Sequence, residues 1–142
     1  PLLFITASII KGISKFNGIS ELRHKESDRI KSMEIGLNKI GIKTKSTTDS
    51  LIIFGNPNIL VNKTLKIYPK EDHRVAMAFF CLGQLLGGKV KIHNFETVNT
   101  SFPKFLRLMN KKITDIGARS KSIFKALVES YCPTVPAHQM DF

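Results

Sequence analysis

"HKESDRIKSM" (residues 24–33) crowds His24, Lys25, Glu26, Asp28, Arg29 and Lys31 into ten positions and then gives way to an apolar rhythm. Ile30, Met33, Leu37 and Ile40 follow at steps of three and four, the spacing that puts side chains on one stripe of a helix. Ser27 or Asp28 suits the N-cap of that helix and Gly41 its stop. Lys25, Glu26 and Arg29 are therefore expected at the positive end of a helix. A second stretch, "EDHRVAMAFF" (71–80), repeats the arrangement. Here Asp72 can cap a helix over residues 73–86 that is apolar almost all round, buried on most sides, and ends at Gly87-Gly88.

The segments around these two clusters read mostly as strands. "SKFNGI" (14–19) is a short strand with a turn at Asn17-Gly18, and "IKTKST" (42–47) and "SLIIFG" (50–55) are two strands around Asp49. "GNPN" (55–58) is a turn. "LKIYP" (65–69) and the alternating "KVKIHNF" (89–95) add two more strands. Residues 2–10 read as a buried helix. Thr100 or Ser101 is expected to cap a last helix, with Pro103 in its first turn and Phe102, Phe105, Leu106 and Met109 on its inner face. The order strand, turn, helix, strand, strand runs once and begins again. This predicts an α/β domain of related units, each presenting a helix N-terminus.

Composition narrows the class. A chain of 142 residues, 42% of them hydrophobic, can form one ordinary globular domain. No apolar run is long enough to span a bilayer, so no membrane partner is expected. "PLLFITASIIKG" (1–12) lacks a preceding basic region and a clear cleavage motif, and reads as a buried helix rather than a signal peptide. Because the chain opens on Pro1 rather than Met, it is expected to be an excerpt of a longer protein. Cys81 and Cys132 form neither a disulfide framework nor a metal-ligand spacing, which fits a reducing, cytoplasmic location without a bound metal.

The formal net charge of +11 at pH 7 implies attraction to anions. Lys63, Lys66 and Lys70 bracket a loop that could touch nucleic acid, but no aromatic platform accompanies them. Small anionic metabolites are the alternative. Helix N-termini attract phosphate and carboxylate, and an Arg in the first turn adds a planar fork that binds either group through two bonds. Arg29 and Arg74 both stand at such positions, Glu26 and His73 beside them are suited to proton transfer, and the four could close on one polyanion. The same pattern also fits helix caps with surface ion pairs. His24, His93 and His138 have no ligand-like spacing, and Cys81 on an apolar helix is expected to be inert core.

"ELRHKESDRI" (21–30), "DHRVAMAF" (72–79) and "TSFPKF" (100–105) resemble, in order and rough spacing, the C-terminal part of the EPSP synthase (3-phosphoshikimate 1-carboxyvinyltransferase) family, and "PLLFITASIIKGISKFNG" (1–18) resembles the segment that precedes the first motif. The resemblance covers residues 1 to about 112. It implies an α/β fold of repeated βαβαββ units, of which this chain holds part of one of two lobes that close on substrate. The domain assignment that follows is 1–117 for the incomplete lobe and 118–142 for a tail, a short helix and then a loose terminus, that does not resemble the family ending.

The implied reaction transfers the enolpyruvyl group of phosphoenolpyruvate to the 5-hydroxyl of shikimate 3-phosphate and releases phosphate, on the way to chorismate and aromatic amino acids. By the same resemblance, Lys25 contacts shikimate 3-phosphate near its reacting hydroxyl. Glu26 protonates the methylene of phosphoenolpyruvate, His73 supports the carboxyvinyl group, and Arg29 and Arg74 grip phosphoenolpyruvate. Glu21 and Thr100 stand where some members carry an Asn for shikimate 3-phosphate and a Lys for phosphate; Asp72 is the cap that aims His73 and Arg74.

A catalytic Asp is expected about three residues before Pro1, and the shikimate-phosphate pocket in the N-terminal part of the same enzyme, which is thus a required partner. No cofactor, no nucleic acid, and a monomer when complete are implied, with little or no activity for this chain alone. The enolpyruvyl transferase that acts on UDP-N-acetylglucosamine in cell-wall synthesis shares the fold and is the alternative, as is a basic nucleic-acid-binding domain.

Overall fold

The computed structural model describes residues 1–109. The expectations for Cys132, His138 and the 118–142 tail lie outside the described residues. The chain divides into two compact units, Pro1–Pro103 and Lys104–Phe142. Within the second, residues 105–109 are helical, with Leu108 N donating to Lys104 O at 3.0 Å.

The first unit opens with helix α1 (Leu2–Ile9) and strand β1 (Gly12–Asn17), followed by a 3-10 turn at Ser20–His24. Helix α2 (Arg29–Ile40) leads into the hairpin β2 (Thr44–Ser46) and β3 (Ser50–Gly55). Strand β4 (Leu65–Ile67), helix α3 (His73–Leu85) and strand β5 (Val90–Ile92) come next. A 3-10 turn at Phe95–Thr97 and the short helix α4 (Val98–Ser101) complete the unit. The order α1-β1-α2-β2-β3 is a βαβαββ unit without its first strand, and β4-α3-β5-α4 supplies the first four elements of another.

Pairing follows the same division. β3 lies between β1 and β2 and is antiparallel to both, with Gly12 opposite Gly55 and Thr44 opposite Ile53. β4 and β5 are parallel, an arrangement that needs a crossover connection, which α3 supplies. Successive residues of a strand face opposite sides, so Leu51 and Ile53 enter the core while Ile52 and Phe54 remain half-exposed.

All four residues of the α2 stripe, Ile30, Met33, Leu37 and Ile40, are buried. Each contributes about 1.5–3 kcal/mol relative to exposure. Phe79, Val75 and Leu82 of α3 and Phe4 and Ile5 of α1 fill the same core. α2 and α3 approach closely at Gly36, where a Cβ would collide with the Phe79 ring. α1 is less enclosed than its sequence suggests, since Leu2 and Leu3 are more than half exposed.

Two helix starts carry the two charged motifs, and both are capped by an aspartate. Asp28, rather than Ser27, is the N-cap of α2, its carboxylate accepting from Lys31 N at 2.9 Å. Gly41 closes that helix at φ 99°, a left-handed conformation that suits a residue without Cβ. Asp72 caps α3 by accepting from Arg74 N at 3.0 Å and Val75 N at 3.2 Å.

The expectation for the last helix is corrected. Neither Thr100 nor Ser101 is a cap: both lie inside α4, which ends before Phe102 and Pro103, and helix resumes only at 105. Pro103 has no backbone N–H, so it follows the end of one helical segment instead of opening the turn of a single longer one. Among the described residues no helix is long and apolar enough to cross a membrane, and no group of three His, Cys, Asp or Glu is placed to hold a metal ion.

Candidate functional site

The loop before α2 is tied down from two directions. Asp49, at the tip of the β2–β3 hairpin, accepts from Gly18 N at 3.1 Å and Ser20 N at 2.9 Å, fixing the end of β1 and the 3-10 turn. Arg23 in that turn reaches the same hairpin, donating from Nε to Thr48 O at 2.8 Å and from its second fork nitrogen to Thr47 O. Its remaining nitrogen pairs with the α2 cap Asp28 at 2.6 Å. Lys25, Glu26 and Ser27 follow between these anchors.

The two motifs meet at Asp72, which is fully buried. Its Oδ2 accepts from Arg29 Nε at 2.8 Å and from Ser27 Oγ at 3.0 Å, contacts that span 43 and 45 residues of sequence. Its Oδ1 takes the two α3 amides and a longer bond, 3.4 Å, from Arg29 Nη2. Burial pushes the Asp72 carboxyl upward, but the bonds from Arg29, Val75 N–H and Ser27, with the charge of Arg29, outweigh it and hold the group below its ordinary value. A buried ion pair of this kind is tolerated because the carboxylate is bonded on both oxygens.

Arg29 is itself only 4% exposed. Beyond Asp72 it holds Glu26, with Nη2 to Oε2 at 2.5 Å, while its Nη1 has no bond among the described residues. Glu26 is half exposed. Hydrogen bonding from its own backbone N–H is the largest influence on its carboxyl, desolvation opposes it, and the charges of Arg29 and His73 add to it, so the net shift is downward. His73, at the first turn of α3, is thus within electrostatic reach of Glu26. Arg74 is exposed, and its guanidinium has no partner among the described residues. Pro1 is half-buried near Arg29, Asp72 and Arg74.

Of the residues singled out in the sequence, Glu26, Arg29 and His73 are brought together, with Arg74 on the same turn of α3. Lys25 is exposed and pairs with Glu21 of the 3-10 turn. Thr100 donates to O of Thr97, the residue before its own short helix, at 2.7 Å and shares no hydrogen bond with the two motifs. Two features were not read from the sequence: that Asp72 is the ion-pair partner of Arg29, and that Ser27 also donates to it. The only available signal was their place inside the motifs, which gives a cap but not a partner.

This geometry presents a cationic rim over a buried carboxylate, at two helix starts that themselves favour anions. The sequence profile of the EPSP synthase (3-phosphoshikimate 1-carboxyvinyltransferase) family matches residues 1–109. The chain belongs to the EPSP synthase family. It is 42% identical over 123 residues to the 3-phosphoshikimate 1-carboxyvinyltransferase of Coxiella burnetii (strain CbuK_Q154), a match that takes in 87% of this chain and 26% of that protein. The corresponding enzyme of Clostridium tetani is 37% identical over 106 residues, 75% of this chain and 24% of the other. Among solved structures, an EPSP synthase from Acinetobacter baumannii superposes with a TM-score of 0.66 at 38% identity, covering 78% of this chain and 26% of its own.

The chain therefore spans about a quarter of the length of the EPSP synthases it matches. The Coxiella match, at 123 residues, is longer than the roughly 112 residues over which the motifs carried the resemblance. The solved EPSP synthase structures and this chain share the α/β arrangement of helices and strands described above.

Proposed function

We propose that this chain is the part of an EPSP synthase that receives phosphoenolpyruvate between the starts of α2 and α3, and that the complete enzyme transfers its enolpyruvyl group to the 5-hydroxyl of shikimate 3-phosphate. The observation that carries this is the Arg29–Asp72 ion pair at 2.8 Å, which draws two motifs 43 residues apart into one anion-binding rim.

The residues divide the chemistry. Arg74, exposed at the rim, and Nη1 of Arg29, both without a partner among the described residues, grip the carboxylate of phosphoenolpyruvate. Glu26 delivers a proton to the methylene carbon, which makes the central carbon electrophilic. The 5-hydroxyl of shikimate 3-phosphate adds there with loss of its proton, helped by Lys25, giving a tetrahedral intermediate that His73 supports. Phosphate then leaves with a proton from the new methyl group, and the enolpyruvyl ether remains.

As it stands here, half exposed and beside Arg29, Glu26 is an ionised carboxylate near neutral pH, the wrong state for an acid. Two polyanionic substrates brought next to it supply the opposite influence, since like charge disfavours ionisation and enclosure acts in the same direction. Proton donation is thereby tied to substrate occupancy. The remainder of the enzyme contributes the shikimate-phosphate pocket and the preceding catalytic carboxylate, which a segment running into Pro1 would deliver to this rim. On this reading the lobe extends to residue 117, the complete enzyme is a cytoplasmic monomer, and Thr100 and Glu21 contribute at most to binding.

The test is phosphate release by the polypeptide that contains this chain at its full length, supplied with both substrates. Release should need both of them and should fall by at least about 100-fold in Glu26→Gln, as expected for loss of a general acid, with substrate binding retained. Full activity in that variant would remove Glu26 from the chemistry, and no release by the folded wild type would remove the function.

A further inference from the structure

Ser27 is buried at the junction of the two motifs, yet nothing in the chemistry above uses it. Its Oγ donates to Asp72 Oδ2 at 3.0 Å and accepts from Ser32 Oγ at 3.5 Å. Asp72 has two competing duties. Its Oδ1 must stay on the amides of Arg74 and Val75 to hold the start of α3, while its Oδ2 must stay on Arg29 Nε.

Arg29 in turn lies between this buried carboxylate and the half-exposed Glu26, which holds its Nη2 at 2.5 Å. Where the unbonded Nη1 points depends on which carboxylate holds the fork more firmly. A donor on Oδ2 that comes from the α2 side, and that is not part of Arg29, pins the plane of the Asp72 carboxylate and so decides the balance.

We propose that Ser27 is a positioning residue: its hydroxyl locks Asp72 and, through it, fixes the Arg29 guanidinium in the orientation that binds the carboxylate of phosphoenolpyruvate. This rests on the function proposed above only in naming the ligand. The coupling from Ser27 through Asp72 to Arg29 is a property of the chain itself. It predicts a specific pattern: loss of the hydroxyl weakens the hold on phosphoenolpyruvate and leaves shikimate 3-phosphate and the chemical step nearly untouched.

Two readouts test it, using Ser27→Ala, the shape-conserving Ser27→Cys with its weak donor, and Ser27→Thr, which keeps the hydroxyl. In the isotopically labelled chain, solvent exchange of the Arg29 Nε–H should accelerate about fivefold or more in the Ala and Cys variants and return to the wild-type rate in Thr, a factor set by the loss of one hydrogen bond. In the full-length enzyme, KM for phosphoenolpyruvate should rise by a similar factor in Ala and Cys, with kcat and KM for shikimate 3-phosphate within about twofold of wild type. An unchanged Arg29 Nε–H in the Ala and Cys variants overturns the proposal. So does a loss of kcat with both KM values unmoved, or a Thr variant no better than Ala. If the wild-type enzyme shows no turnover, the function fails, and the exchange measurement alone decides the role of Ser27.

Discussion

Arg29 and Arg74 have the same side chain at the same kind of helix position, yet one is enclosed by two carboxylates and the other is exposed, its guanidinium unbonded among the described residues. The difference has consequences for stability. Arg29→Ala strands a buried, charged Asp72 and should cost about 3 kcal/mol, by the usual penalty for breaking a buried pair. Arg74→Ala should stay within about 0.5 kcal/mol of wild type, as for surface changes generally. Urea unfolding of the chain distinguishes them, and equal losses would mean that the buried pair is not what holds the two motifs together. The pair also sets a pH dependence. The folded Asp72 carboxyl lies below its ordinary value of 3.8, so its contribution to stability is complete above that value and is lost as pH falls through the folded pKa. Acid unfolding followed by circular dichroism should therefore shift to higher pH in Ser27→Ala, which removes one of the bonds that lower it. That the charged residues gather at two capped helix starts was legible in the sequence, because each cluster directly precedes an apolar helical stripe. The pairing was not, because nothing local in "KESDR" or "DHR" says which acid across 43 residues will meet which arginine.

At the scale of elements, α2 and α3 are held close by the absence of a side chain at Gly36. Helix propensity alone would make Gly36→Ala stabilising by up to about 1 kcal/mol. Because the added methyl meets the buried Phe79 ring, the net effect should instead be a loss of about 1–3 kcal/mol, typical of overpacking. A rise in melting temperature would show that the helices separate without cost. The turn that delivers Asp72 is also constrained: Lys70 and Glu71 both have positive φ, 52° and 64°, which L residues adopt at a cost of about 1–2 kcal/mol each. Stability at position 71 should follow the order Gly, Glu, Val, with Val worst because a β-branched side chain crowds this conformation. Thermal melts of Glu71→Gly and Glu71→Val check the order. The main helices and their caps were legible from periodicity and Asp, Gly punctuation, since those signals are local. The end at α4 was not. "TSFPKF" satisfies the rules for a helix start with proline in the first turn, yet Thr100 and Ser101 are taken up by a helical turn that begins at Val98 and stops before Phe102. Two short segments separated by Pro103 and one longer helix share the same composition.

At the scale of the whole molecule, the chain is one stretch of a repeating βαβαββ architecture, about a quarter of the length of its relatives. Its order of elements was legible because each unit repeats the same alternation of pattern. What the order could not reveal is how the starts of α2 and α3 come together, since that depends on the direct packing of the two helices and on the contacts α1 makes with α3 and α2 makes with β3. Some of the net charge of +11 lies at a rim whose carboxylate floor holds one arginine and leaves the other exposed. The most direct measurement is the KM for phosphoenolpyruvate of the full-length enzyme carrying Arg74→Ala, taken together with its melting temperature. A rise in KM of at least about tenfold, the loss expected for one charge-assisted contact, with melting within about one degree of wild type, is the predicted result. An unchanged KM would contradict the assignment of this rim as the place where phosphoenolpyruvate binds.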